Sequence, residues 1–69
     1  METVTLKIPN MKSYHCQTTV TNTVKNMGAL MRSIAPTKAE IELTNGLTRE
    51  AVIQAIEKAG YLVENKEKL

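Results

Sequence analysis

Two short stretches of the chain alternate strictly between apolar and polar residues, one near the amino terminus and one past the middle. In the first, Val4, Leu6 and Ile8 are separated by polar residues, and the apolar positions of 39–43 show the same spacing. A period of two is typical of a strand with one buried face. A chain of 69 residues supports a single core. Both strands are therefore expected to contribute to the same core.

Two helices are predicted between the strands. From Cys16 onward, apolar residues recur at helical spacing until Gly28, which can end the helix. Thr48 is a candidate N-cap for a second helix that stops at Gly60. The predicted apolar faces are Val20, Val24 and Met27 in the first helix and Val52, Ala55, Ile56 and Ala59 in the second.

Further strands are predicted at 30–35 and at 61–63, and a turn at 36–38 makes a hairpin of the second and third strands. The order strand, helix, strand, strand, helix, strand predicts an α+β fold. It is the ferredoxin-like βαββαβ sandwich, a four-stranded antiparallel sheet with two helices on one face. We expect one domain at 1–64 and a flexible charged tail at 65–69.

Composition limits the classes of function. The net charge is +2, the basic residues are spread along the chain, and Tyr14 and Tyr61 are the only aromatic residues. Nucleic-acid readers usually cluster their basic residues, so no nucleic-acid partner is expected. One cysteine cannot form an internal disulfide, and no apolar run suits membrane insertion. A cytoplasmic, reducing setting is expected.

The single cysteine lies where the first strand leads into the first helix. A thiol there is close to unpaired backbone N–H groups and to the positive end of the helix dipole, which favour the thiolate. Cys16 is therefore a candidate ligand for a soft metal. A thiol enzyme needs a base and a group to orient that base. With His15 as the only histidine and no Asp in the chain, we do not expect an enzyme.

The segment from Met11 through Ser13 to Cys16 resembles the M-x-C-x-x-C loop of heavy-metal-associated domains. These domains occur in copper chaperones, mercury-binding proteins and metal-pumping ATPases. Met11 matches the motif's methionine, Cys16 matches its second cysteine, and Ser13 replaces the first. The resemblance implies metal binding and metal transport, with copper(I) or another soft ion and a P-type ATPase domain as partner. Because Ile34 falls one position later than the family pattern, a bulge or slipped register is expected there.

Serine cannot replace a thiolate toward copper(I), because its hydroxyl is a hard, neutral oxygen. The site would therefore be weak or would need an outside ligand. A second protomer could supply its own Cys16, giving a metal-bridged homodimer, and a small thiol or partner protein could act similarly. His15 is a less favoured source, because adjacent residues at a helix start usually point apart. A disulfide-bridged homodimer acting as a redox sensor is a third, weaker hypothesis.

The neighbouring residues each have two interpretations. Ser13 can cap the helix or contribute a weak ligand, and Met11 can pack beneath the loop or bind metal, of which packing is favoured. The resemblance gives Tyr61 a role in covering the site, while a half-buried aromatic with a wet hydroxyl is equally consistent. The alternative for the whole chain is a protein-interaction module that no longer binds metal.

Overall fold

The structure is a computed structural model that describes residues 2–44 and 46–64. The predicted tail at 65–69 lies outside the described residues, so the predicted domain limits remain a prediction. The described elements are β1 (Thr3–Lys7), α1 (Tyr14–Asn26), β2 (Leu30–Ala35), β3 (Lys38–Glu42) and α2 (Arg49–Lys58).

The three described strands form one antiparallel sheet in the order β1, β3, β2. Val4 lies opposite Ile41 and Leu6 opposite Ala39, so these four side chains share one face. All four are buried. The predicted hairpin of β2 and β3 is confirmed. The helices supply the rest of the core, chiefly Val20, Val24, Val52, Ile53 and Ile56.

The predicted irregularity in the second strand is confirmed. The pairing of β2 with β3 passes from Met31 to Ser33 with a register shift, so Arg32 is the extra residue of a bulge. In a regular strand, residues three apart face opposite sides. The bulge lets both Met31 and Ile34 pack against the core.

The predicted fourth strand is wrong. Residues 61–63 are not a strand, and the sheet has three strands within 2–44 and 46–64. This segment nevertheless lies beside β1, where the Glu64 N–H donates to the Lys7 carbonyl over 2.7 Å. Val63 is buried. The segment therefore buries an apolar side chain, as a strand would, but does not form the ladder of regular backbone hydrogen bonds with β1.

The ladder is missing because nearby backbone N–H groups have other acceptors. The Tyr61 N–H donates to the Ile56 carbonyl over 3.2 Å, and the Leu62 N–H donates to the Asn10 side-chain oxygen over 3.1 Å. The first bond belongs to the Schellman ending of α2, which needs a left-handed residue at Gly60 (φ 100°). Donors engaged in this way cannot also pair with β1.

The helix boundaries differ slightly from the prediction. α1 begins two residues before Cys16, because Ser13 caps it. Thr48 caps α2 as predicted. The buried face of α2 includes Ile53, whereas Ala59, predicted on that face, is the exposed C-cap. These shifts place Cys16 inside the first turn of α1.

Candidate metal centre

The loop from β1 to α1 is anchored by two fully buried side chains, Ile8 and Met11. The Met11 N–H donates to the Ile8 carbonyl over 3.1 Å, which closes a turn around Pro9 and Asn10. Met11 lies in the core cluster, in agreement with the packing interpretation. Its role is therefore to hold the loop against the core.

Ser13 caps α1, which is the first of the two roles predicted for it. Its backbone is extended (ψ 158°), and its Oγ accepts the Cys16 N–H over 3.1 Å. Its carbonyl accepts the Gln17 N–H over 3.0 Å. An N-cap side chain satisfies a helix donor that has no partner within the helix. The residue at the position of the missing cysteine therefore has a structural task of its own.

The Cys16 side chain is half-buried and packs against the edge of the core. Hydrogen bonds from the Ser13 hydroxyl and then from the Tyr61 hydroxyl lower the pKa of the thiol, and the Ser13 backbone N–H adds to this. Partial burial opposes the shift. Donors aimed at the sulfur stabilise its negative charge. The arrangement favours the thiolate, which is the form that binds metals.

Tyr61 lies in the segment after α2. Hydrogen bonding with Cys16 raises the pKa of Tyr61, burial adds to the effect, and the Thr19 side chain opposes it. The phenol is half-buried. The Tyr61 side chain also packs against the core, so both interpretations of Tyr61 remain predictions.

Asn10 is a residue whose contribution the sequence did not reveal. Its carboxamide accepts the Leu62 N–H over 3.1 Å and donates to the Gly60 carbonyl over 3.4 Å. These bonds lie on either side of Tyr61 in the chain. They span 50 and 52 residues, so no local pattern could have indicated them.

His15 is exposed and precedes Cys16 in the first turn of α1. Adjacent residues on a helix do not face each other. Its carbonyl accepts the Thr19 hydroxyl over 3.0 Å, which is an ordinary helical contact. Within 2–44 and 46–64, no three His, Cys or Glu side chains form a group able to hold a metal ion.

One solved structure resembles this chain in both fold and sequence. It is described as copper chaperone Atx1 from Synechocystis PCC6803, in a trimeric form labelled Cu1 and carrying a histidine-to-tyrosine mutation. The two chains are 31% identical, with a TM-score of 0.73, over 88% of this chain and 98% of the other. The chain belongs to the heavy-metal-associated family. The resemblance seen in the loop sequence is confirmed.

A second solved structure, described as "Crosstalk between Cu(I) and Zn(II) homeostasis", matches this heavy-metal-associated domain with a TM-score of 0.77. It covers 93% of this chain and 97% of the other at 18% identity, so the likeness concerns the fold. No protein-family model and no curated protein sequence matches the chain.

The 31%-identical relative of this heavy-metal-associated domain is described as a chaperone and not as an enzyme. In the part of the chain that the structure describes, neither helix has the length and apolar character needed to cross a membrane.

Proposed function

We propose that this domain binds copper(I) or another soft metal ion through Cys16 and acts as a metallochaperone. The observation that carries the proposal is the Cys16 sulfur itself, half-exposed in the first turn of α1 and facing hydroxyl donors from Ser13 and Tyr61. Soft ions prefer thiolates, and these donors together with the helix start favour the thiolate. The likeness to a copper chaperone supports the same function.

The second ligand comes from outside the protomer. The chain has one cysteine, and the Ser13 hydroxyl is a hard oxygen already engaged with Cys16. The Cys16 of a second copy, bridged by the metal, is the favoured source, with a small thiol as the alternative. The trimeric form of the relative supports self-association of such domains.

Two exposed apolar side chains that are close in the chain to site residues offer a surface for contact with another chain. Tyr14 is 84% exposed and Leu62 is 59% exposed, and each is close in the chain to a residue of the site. Aromatic residues are enriched in the cores of protein–protein interfaces. This surface would meet a second copy or a domain of a metal-transporting P-type ATPase in the cytoplasm.

A second candidate function is a protein-interaction module that no longer binds metal. It is favoured by the cap at Ser13, which gives a structural role to the position where the family motif has a cysteine. The same exposed surface would then serve docking alone. Metal binding that depends on Cys16 separates the two functions.

We expect a competition titration with a copper(I) chelator to show binding by the protein that Cys16→Ala removes. The matched control is His15→Ala, which changes an exposed neighbour in the same helical turn and should leave the affinity unchanged. Equal copper(I) affinity of the protein and of Cys16→Ala would reject Cys16 as the ligand, and the absence of binding by either would favour the interaction module. A loss confined to His15→Ala would instead identify a nitrogen ligand.

A further inference from the structure

The position of Tyr61 requires an explanation, because the strand predicted to hold it is absent from the described residues. The Tyr61 N–H is bonded within the ending of α2, and the next described link to the sheet is at Glu64. A segment that makes no regular backbone hydrogen bonds to a neighbouring strand depends on other contacts for its placement. Those contacts hold the backbone that carries the Tyr61 side chain, which itself packs against the core.

Asn10 provides contacts on both sides of Tyr61. Its Oδ1 accepts from the Leu62 N–H, and its Nδ2 donates to the Gly60 carbonyl. A carboxamide offers both a donor and an acceptor, so one side chain can engage the backbone before and after a residue. Neither an aliphatic side chain nor a carboxylate could make both bonds.

The backbone around Asn10 is held in place by the core. Asn10 lies between Ile8 and Met11, both fully buried, in the turn closed by their backbone hydrogen bond. The same loop continues to Ser13, the first donor to the sulfur. Asn10 is therefore attached to the core on one side and to the Tyr61 segment on the other.

We infer that Asn10 is a positioning residue that joins the loop between β1 and α1 to the backbone on either side of Tyr61 and thereby keeps the Tyr61 side chain beside Cys16. Its effect on metal affinity rests on the proposed function, whereas its effect on the placement of Tyr61 does not. Residues that orient a metal ligand typically change affinity by about 10–100-fold when removed. The loss of Asn10 should act through Tyr61 alone.

The test uses the full chain as Asn10→Ala, Tyr61→Phe and the double variant, with Asn10→Asp as the conservative change that keeps the acceptor for Leu62. In the metal-free protein, nuclear Overhauser effects between the Tyr61 ring and the Cys16 β-protons report the placement. We expect this contact to be lost in Asn10→Ala and weakened but detectable in Asn10→Asp, which keeps one of the two bonds. Retention of the contact in Asn10→Ala would overturn the inference.

Copper(I) affinity provides the second measurement. Asn10→Ala and Tyr61→Phe should each weaken binding by about tenfold, and the double variant should be no weaker than Tyr61→Phe, because ligand positioning acts through one residue. Losses that multiply in the double variant would contradict the inference. If none of these proteins binds copper(I), the proposed function fails, while the contact between Tyr61 and Cys16 still decides the role of Asn10.

Discussion

Ser13→Cys is expected to tighten copper(I) binding by more than about 100-fold, beyond the effect usual for residues that only orient a ligand. The Ser13 side chain already reaches the Cys16 backbone N–H and its sulfur. A thiol at position 13 would therefore lie close to the first thiolate and supply the second soft ligand within one chain. A competition titration under reducing conditions, which keep the two thiols free, measures the change.

The same substitution should destabilise the metal-free protein. Cysteine is a poor N-cap, and losing the Ser13 cap of α1 should cost about 0.5–2 kcal/mol of unfolding free energy. Ser13→Ala is the matched control, because it loses the cap without adding a ligand. We expect both variants to melt at lower temperature without metal, and only Ser13→Cys to regain stability with copper(I). An unchanged affinity in Ser13→Cys would contradict the site as described.

Met11→Ala is expected to reduce the unfolding free energy by about 2–5 kcal/mol, the usual cost of truncating a buried methionine. Met11 is fully buried and packs in the core cluster beneath the metal loop. Removing it leaves a cavity at the anchor of that loop. Thermal melting should show the loss at about 4–8 °C for each kcal/mol in a domain of this size.

Met11→Leu separates packing from ligation. Leucine has a similar volume but no sulfur, so the substitution should cost less than about 1.5 kcal/mol and leave copper(I) affinity unchanged. A fully folded Met11→Leu that has lost its copper(I) affinity would show that the methionine is a ligand, contrary to its buried position.

Features that depend on neighbouring residues could be predicted from the sequence. Alternation at Val4, Leu6 and Ile8 identified β1 and its buried face, because a period of two follows directly from strand geometry. The Ser13 cap was among the predicted roles, since the residue precedes a helix and carries a short hydroxyl. The bulge at Arg32 was predicted from the family resemblance, because Ile34 lies one position later than the family spacing.

Features that depend on distant contacts could not be predicted. The segment 61–63 has the apolar residues of a strand, yet the N–H groups of Tyr61 and Leu62 bond to α2 and to Asn10 instead. No local propensity encodes a carboxamide that engages backbone about 50 residues away. Some residues of the site around Cys16 could therefore be predicted. Asn10, which connects the loop between β1 and α1 to the segment after α2, could not.

The proposed bridging of two Cys16 thiolates is tested by native mass spectrometry of the protein loaded with copper(I) in a buffer free of other thiols. With one cysteine in each chain and a preference of copper(I) for paired thiolates, we expect a species of two chains carrying one copper. This species should be absent for Cys16→Ala. Copper held with equal occupancy by single chains of the protein and of Cys16→Ala would contradict Cys16 as the metal ligand.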